Sequence, residues 1–277
     1  MAKNELKVLR GLKFGVELEV KFSGDKTEII EALKNRGIKV RQRWSGSIHT
    51  VLENAWKVVA DGSVQGGWEI VSPPMSDMND LRIVCEVLNE LGCSVDKQCG
   101  LHVHHEASDL DLNSLKNVYE IYNKYELDVI HELLPVSRRN NAYCKPLTTV
   151  IEDVRKCNSI DEMKEHWNIG GGYGGHYDSC RYKSINFRAY RVYGTLEFRA
   201  HSGSIDFEKI SNWILFTHKI IEVATEKKVI RPVTEKRKLK WQESVQHSSY
   251  DLYKELGIGG TELSKYLGSR RKTLRTN

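Results

Sequence analysis

Four short segments of the chain alternate apolar side chains with acidic, histidine or arginine side chains. In the first segment, residues 14–20, Leu18 separates Glu17 from Glu19. Successive side chains of a β-strand point to opposite faces of the sheet, so both carboxylates project from one face and the apolar side chains from the other. If the acidic face is buried, the two carboxylates need a positive charge between them, and a divalent metal ion would supply it.

The same alternation recurs later in the chain: Glu69 in residues 67–71, His102 and His104 in residues 100–106, and Glu197 and Arg199 in residues 194–201. Asp61 stands on the other side of the glycine-containing turn that precedes Glu69. Each segment alone is also explained by a strand with a solvent-facing edge. On one concave face, however, their carboxylates, imidazoles and guanidinium would suit several Mg²⁺ ions and a polyphosphate.

Helical patterns separate these strands. Apolar residues at helical spacing predict four helices, at residues 25–37, 77–91, 112–134 and 207–226. Asp25 and Glu28 are placed as an N-terminal capping pair, and Pro135 ends the third helix. Two further strands are predicted at residues 53–59 and 184–190. This order predicts an α+β fold, with a curved, mainly antiparallel sheet and helices packed on one face.

The composition is that of a globular protein. The chain has 277 residues, of which 40% are hydrophobic and 29% charged. No segment approaches the roughly 18 consecutive apolar residues of a membrane span, and the first residues lack the apolar region of a secretory signal. We therefore expect a cytoplasmic protein without a membrane partner. The six cysteines form no CxxC pair, which indicates reduced thiols.

Positive charge is concentrated at the C-terminal end. Residues 231–277 contain 11 Lys or Arg against 5 Asp or Glu, whereas the whole chain has a formal net charge of only +5. We predict a domain of residues 1–230 followed by a basic extension of residues 231–277. The extension could bind a nucleic acid or another polyanion, or it could be a solvated terminus.

Taken in order, these motifs resemble the amidoligases, relatives of glutamine synthetase and of the γ-glutamate-cysteine ligases. The resemblance spans about residues 12–225 and includes four strand motifs, residues 135–147 and the helix around Trp213. It implies a glutamine-synthetase-like catalytic fold. It also implies an ATP-dependent ligase that joins a carboxylate to an amine through an acyl phosphate, with carboxylate and amine substrates that the sequence leaves open.

The resemblance also implies roles for individual residues. Its metal ligands would be Glu17, Glu19, Asp61, Glu69, Glu197 and His102, and its nucleotide contacts would be His102, His104 and Arg199. Arg199, with Arg188 and Arg181, would hold the transferred phosphoryl group, and Arg138 and Arg139 resemble a substrate-loop pair. The implied cofactors are ATP and two or three Mg²⁺ ions, for which Mn²⁺ could substitute.

Two other functions remain open on the sequence alone. A metal-dependent hydrolase could use His102, His104 or His105 with carboxylates to activate water, and it would need no ATP. A non-enzymatic nucleic-acid-binding protein could act through the basic extension. The glycine-rich residues 169–176 predict an irregular loop, either a lid over the site or a surface insertion. The oligomeric state is open.

Overall fold

The computed structural model describes residues 13–41, 54–60, 62–139, 141–147, 151–167, 179–226 and 247–276. Three features predicted from the sequence lie outside these ranges: Asp61, the glycine-rich segment 169–176, and the domain boundary after residue 230. Within the described residues, no helix is both long enough and apolar enough to cross a bilayer.

One antiparallel sheet organises the described residues. Its strands are β1 (Phe14–Lys21), β2 (Lys57–Ala60), β3 (Gly67–Val71), β4 (Gly100–Glu106), β5 (Ile185–Asn186) and β6 (Thr195–Ser202). They lie in the order β2-β3-β1-β4-β6-β5, and every neighbouring pair is antiparallel. The strand with the Glu-Leu-Glu motif is therefore internal, between β3 and β4.

The described residues also form the helices α1 (Lys26–Asn35), α2 (Asn79–Glu90), α3 (Leu112–Tyr125), α4 (Val136–Arg139), α5 (Ile151–Lys156), α6 (Ile160–Trp167), α7 (Arg188–Tyr193), α8 (Phe207–Glu226), α9 (Ser249–Glu255) and α10 (Glu262–Thr276). Of these, α3 and α8 pack on the apolar face of the sheet. The Tyr122 ring of α3 lies 5.8 Å from the Phe198 ring of β6, and the Trp213 ring of α8 lies 5.0 Å from the His201 ring. The predicted α+β fold, an antiparallel sheet with helices packed on it, is confirmed.

The start of α1 follows the sequence prediction. Asp25 Oδ1 accepts a hydrogen bond from Thr27 N at 2.8 Å, and Glu28 Oε1 accepts one from Asp25 N at 2.9 Å. This reciprocal pair satisfies two amide groups that the first helical turn leaves without partners. Gly37, with φ of +84°, follows the helix.

The predicted helix over residues 112–134 is helical through Leu133, but its geometry changes after Tyr125. The α-helical geometry ends at Tyr125, and a π-helical turn (Glu126–Ile130) and a 3₁₀ turn (His131–Leu133) follow. In this arrangement Glu126 is buried and its Oε2 accepts a hydrogen bond from Leu147 N at 2.8 Å. Leu147 is distant in sequence, so the apolar periodicity of the segment could not show this contact.

The predicted strand over residues 184–190 is wrong beyond its first residues. Strand β5 covers only Ile185–Asn186, and helix α7 begins at Arg188. The Asn186 side chain accepts a hydrogen bond from Arg188 N at 2.9 Å, which favours a turn into a helix over a continued sheet ladder. Gly194, with φ of +67°, caps the end of α7.

The described part of the C-terminal segment packs against the rest of the protein. Leu252 and Leu256 belong to the same apolar core as the sheet and α8. Glu255 of α9 accepts hydrogen bonds from Tyr125 Oη at 2.6 Å and from Lys124 Nζ at 2.8 Å.

Helix α10 uses three of its arginines for contacts within the chain. Arg270 Nε donates to the carbonyl oxygen of Leu133 at 2.8 Å, and Arg271 and Arg275 both pair with Glu132. These contacts attach α10 to the 3₁₀ turn that follows the π-helical turn.

Three histidines lie in the apolar layer between the sheet and the helices: His105, His201 and His218. The His105 and His218 rings are 5.6 Å apart, and His105 Nε2 lies 2.7 Å from Thr217 Oγ1. Burial lowers the pKa of all three imidazoles. The folded protein therefore holds them in the neutral form.

We expect the free energy of unfolding to decrease as the pH falls below about 6.5, the pKa of an imidazole in an unfolded chain. Below that pH the unfolded chain takes up protons that the folded protein excludes. Urea denaturation over a pH series measures this dependence. Below about pH 6.5, His218→Gln should reduce the slope of the free energy of unfolding against pH by the equivalent of up to about one bound proton. Asn117→Ala is the control, because it removes a buried 3.0 Å hydrogen bond to Ala224 O without removing a titratable group. If this slope were unchanged in His218→Gln, His218 would not be held neutral in the folded protein.

Candidate functional site

The face of the sheet opposite α3 and α8 carries the ionisable residues that the alternation predicted. Strand register brings them together in pairs: Glu17 faces His102, Glu19 faces Glu69, and His104 faces Glu197. Four adjacent strands, β3, β1, β4 and β6, therefore contribute to one cluster.

His102 lies among three carboxylates. Its Nδ1 is 2.8 Å from Glu17 Oε2 and 3.5 Å from Glu197 Oε1, and its Nε2 is 3.6 Å from Glu19 Oε1. The imidazole is 5% exposed, so these interactions are only weakly screened by solvent.

His104 approaches the second oxygen of Glu17. Its Nε2 is 3.4 Å from Glu17 Oε1 and 4.0 Å from Glu197 Oε1, while its Nδ1 is 3.0 Å from Thr195 Oγ1. His104 Nε2 is buried, and within the described residues it makes no hydrogen bond. A buried ring nitrogen that is directed at two carboxylates has the geometry of a metal ligand.

The cluster keeps Glu17 and Glu197 ionised. Burial alone would raise the pKa of Glu17, but the neighbouring His102 and His104 imidazoles outweigh it and hold the pKa well below the usual range. Burial also opposes ionisation of Glu197, yet Arg199 and His104 lower its pKa. The pKa of His104 is raised because Glu197 and Glu17 outweigh its burial. The ionised Glu17 and Glu197 carboxylates thus favour a cation beside them.

Glu19 is fixed by the backbone of the adjacent strand. Its Oε2 accepts a hydrogen bond from Gly100 N at 2.6 Å. A Cβ atom at Gly100 would lie 3.0 Å from His102 Nε2 and 3.3 Å from Arg138 Nη2. Glycine at this position therefore lets the imidazole and the guanidinium approach the backbone of β4.

A β-bulge in β6 shapes the other side of the cluster. The register runs from Leu101 opposite His201 to Val103 opposite Phe198, so β6 has one residue more than β4 over this interval. Arg199 and Ala200 consequently both lie opposite His102. Their carbonyl oxygens accept hydrogen bonds from Arg138, at 2.7 Å from Nη2 and 3.3 Å from Nε respectively.

The Arg199 guanidinium is held from two sides. Its Nη1 contacts Glu197 Oε1, and its Nε donates to the carbonyl oxygen of Tyr143 at 3.2 Å. Glu197 Oε2 in turn accepts a hydrogen bond from Asn186 Nδ2 at 2.6 Å. These contacts hold the Arg199 guanidinium in one orientation within the cluster. Its place on the same face as Glu197 is the one that the alternation of β6 predicted.

The other predicted arginines lie outside the carboxylate cluster. Arg138 is buried beside it but binds backbone carbonyls, as described above. Arg139 Nε donates to Leu134 O at 3.0 Å, and the Arg181 guanidinium lies over the Tyr182 ring at 5.3 Å. Arg188 is exposed at the start of α7.

Lys57 is a site residue that the strand motifs did not indicate. It is 4% exposed, lies on β2, and shares a face with Glu69 and Glu17. Burial lowers its pKa, and the charges of Glu69 and Glu17 act in the opposite direction. The available signal was a lysine inside the apolar run Trp56 to Val59, where a surface lysine is not expected.

A cavity of about 230 Å³ opens beside Glu17 and His104. Lys57 and Tyr193 also line it, and Gly15 forms part of its floor on the same face as Glu17. A Cβ atom at Gly15 would make only ordinary contacts, the nearest being Ser72 Oγ at 3.4 Å. The floor is therefore open because a side chain is absent there.

Two overlapping groups of side chains have the geometry of a metal site. Ligand atoms of Glu17, Glu69 and His102 lie within 4.8 Å of one another, and so do those of Glu17, His104 and Glu197. Carboxylate oxygens suit Mg²⁺, and the imidazole nitrogens also accommodate Mn²⁺. The residues present thus fit two divalent cations that share Glu17 as a ligand.

A family model described as putative amidoligase enzyme matches residues 10–221, and the chain belongs to this family. No curated protein matches the sequence. A solved structure described as apo GmaS without ligand aligns with a TM-score of 0.45 and 11% sequence identity. That alignment covers 99% of this chain and 73% of that chain, and a likeness of this strength carries no argument about function.

We expect Glu17→Gln to weaken Mn²⁺ binding more than Glu197→Gln, because Glu17 belongs to both ligand groups and Glu197 to one. Titration followed by electron paramagnetic resonance measures the number of bound ions and their affinity. Glu106→Gln is the control, since this carboxylate lines the cavity but belongs to neither group. Equal losses of affinity in Glu17→Gln and Glu106→Gln would contradict the proposed ligand set.

Proposed function

We propose that this protein is an ATP-dependent carboxylate-amine ligase that forms an amide bond through an acyl-phosphate intermediate. Membership in the amidoligase family supports a ligase-type function. The ATP-dependent mechanism is supported by one observation: the two metal-ligand groups share Glu17, which lies beside a cavity and near the Arg199 guanidinium.

The charge of the cluster supports a polyanionic substrate. Two divalent cations would balance the four carboxylates of Glu17, Glu19, Glu69 and Glu197. Arg199 and Lys57 would then give the site a net positive charge in a buried setting, where electrostatic interactions are strong. A triphosphate complements this charge, whereas a neutral substrate would leave it uncompensated.

The cavity supports a place for the nucleotide. Glu17, His104 and Lys57 line it together with Tyr193, and its volume of about 230 Å³ would receive the phosphate end of the nucleotide. Pockets that combine apolar walls with a few convergent polar groups are typical of cofactor and nucleotide sites.

In the first step, the γ-phosphoryl group of ATP passes to an oxygen of the substrate carboxylate, and ADP leaves. Divalent ions, when bound, neutralise phosphate charge and align the reacting oxygens. Arg199 contributes a planar guanidinium, held by Glu197 and Tyr143, that can stabilise the equatorial oxygens of the transferred group.

In the second step, a neutral amine attacks the carbonyl carbon of the acyl phosphate. The new C–N bond forms, the C–O bond to phosphate breaks, and a carboxylate of the site can accept the proton that the amine loses. The fixed positive charge of Arg199 stabilises the developing oxyanion.

A direct test follows ADP release from Mg-ATP over a panel of carboxylate and amine pairs, including peptides and nucleic acids. We expect Glu17→Ala and Arg199→Ala each to reduce the rate by about 10³-fold or more, because the first removes a carboxylate that would hold the divalent ions and the second removes the guanidinium that would stabilise the transferred phosphoryl group. Arg36→Ala is the matched control, since Arg36 pairs with Glu86 and Glu90 on an exposed helical surface.

Equal ADP release by the wild type, Glu17→Ala and Arg199→Ala would rule out this site. Metal-dependent hydrolysis that proceeds without ATP would instead support the hydrolase alternative.

We expect Gly15→Val to raise the KM for Mg-ATP by about tenfold or more, because its methyl groups would enter the cavity where the nucleotide is proposed to lie. Mn²⁺ binding should be unchanged, since Gly15 contributes no ligand atom. Steady-state kinetics measures the effect, and Gly62→Ala is the control because a Cβ atom there meets nothing within 4 Å. An unchanged KM in active Gly15→Val would place the nucleotide elsewhere.

A further inference from the structure

The carbonyl group that holds Arg199 belongs to a short loop, residues 143–147. Tyr143 O accepts the hydrogen bond from Arg199 Nε at 3.2 Å. In the middle of the loop, Lys145 N donates to Tyr182 O at 2.7 Å, and Lys145 O accepts from Ser184 N at 2.8 Å. The position of this loop therefore determines one of the two contacts that orient the Arg199 guanidinium.

The far end of the loop is clamped by side chains from α3 and the π-helical turn. Glu126 Oε2 accepts a hydrogen bond from Leu147 N at 2.8 Å, and Asn123 Nδ2 donates to Leu147 O at 3.0 Å. Both backbone polar groups of Leu147 are thus satisfied by side chains rather than by secondary structure.

Glu126 occupies an unfavourable position for a carboxyl group. It is 1% exposed, and burial raises its pKa to about 7, against the opposing effects of Ser184, the Leu147 amide and Lys183. The buried Tyr122 and Cys144 are the other titratable groups near it. Burying a carboxyl group is destabilising unless its hydrogen bonds compensate, and π-helical turns frequently mark functional positions.

We propose that Glu126 is a positioning residue for Arg199, which it reaches through Leu147 and the 143–147 loop. This inference rests on the proposed role of Arg199 in phosphoryl transfer. Without the Glu126 contact the loop keeps its two hydrogen bonds at Lys145 but loses the anchor at Leu147, and we expect the Tyr143 carbonyl to shift relative to Arg199 Nε. A displacement of a catalytic group by about 1 Å can reduce a rate by roughly 10²-fold.

The test compares Glu126→Ala, Glu126→Gln and Asn117→Ala at a temperature where all three are folded. We expect Glu126→Ala to lower the kcat of ADP release by about tenfold or more, with the KM for Mg-ATP unchanged. Glu126→Gln should restore kcat, because its amide oxygen can still accept the hydrogen bond from Leu147 N. Asn117→Ala, which removes a buried hydrogen bond from α3 to α8, should leave kcat unchanged.

A second measurement does not require turnover. The ¹⁵Nε–¹Hε signal of Arg199, assigned by its loss in Arg199→Lys, should shift in Glu126→Ala and stay in place in Glu126→Gln and Asn117→Ala. If the wild type releases no ADP, the proposed function fails, whereas the Arg199 signal still decides the positioning role.

An unchanged Arg199 signal in Glu126→Ala, or an equal loss of kcat in Asn117→Ala, would overturn the proposal. Should Glu126→Ala fail to fold, Asn123→Ala removes the other half of the Leu147 clamp and should shift the same signal.

Discussion

The pairing of β1 with β4 places Glu17 opposite His102, and the rest of the site depends on this contact. A buried carboxylate is unfavourable unless positive or hydrogen-bonding groups surround it, and His102 and His104 provide them for Glu17. Glu17 also belongs to both candidate metal groups, so a residue of the internal strand β1 would ligate both divalent ions. A register shift of one residue would turn Glu17 towards the helices.

The sheet separates two environments, and the residues that orient the site come from outside the strands. Arg138 binds the carbonyl groups exposed by the bulge in β6, and the 143–147 loop holds Arg199. Glu126 anchors that loop from the helical layer. The ionisable face is thus supported by segments outside the strands, and their hydrogen bonds help to keep a cluster of like charges in one geometry.

Local patterns predicted the parts of the fold that local interactions control. The alternation in β1, β4 and β6 predicted which side chains share a face, and the Asp25–Glu28 pair predicted the start of α1. A distant partner was missed at Glu126, which turns inward to bind Leu147 where the α-helical geometry of α3 ends. A local contact was missed at Asn186, whose side chain accepts a hydrogen bond from Arg188 N where β5 ends and α7 begins. Lys57 was missed because a single lysine in an apolar run does not reveal which carboxylates it will face.

The sequence by itself determined the two-faced strands, the chemical types of the site residues and the family to which the chain belongs. Only the tertiary structure decided that β1 lies between β3 and β4, that the bulge places both Arg199 and Ala200 opposite His102, and that Lys57 is buried beside the cavity. The physical reason is the range of the interactions. Alternation and capping act between residues a few positions apart, whereas strand order and register follow from hydrogen bonds and packing between segments that are far apart in the chain.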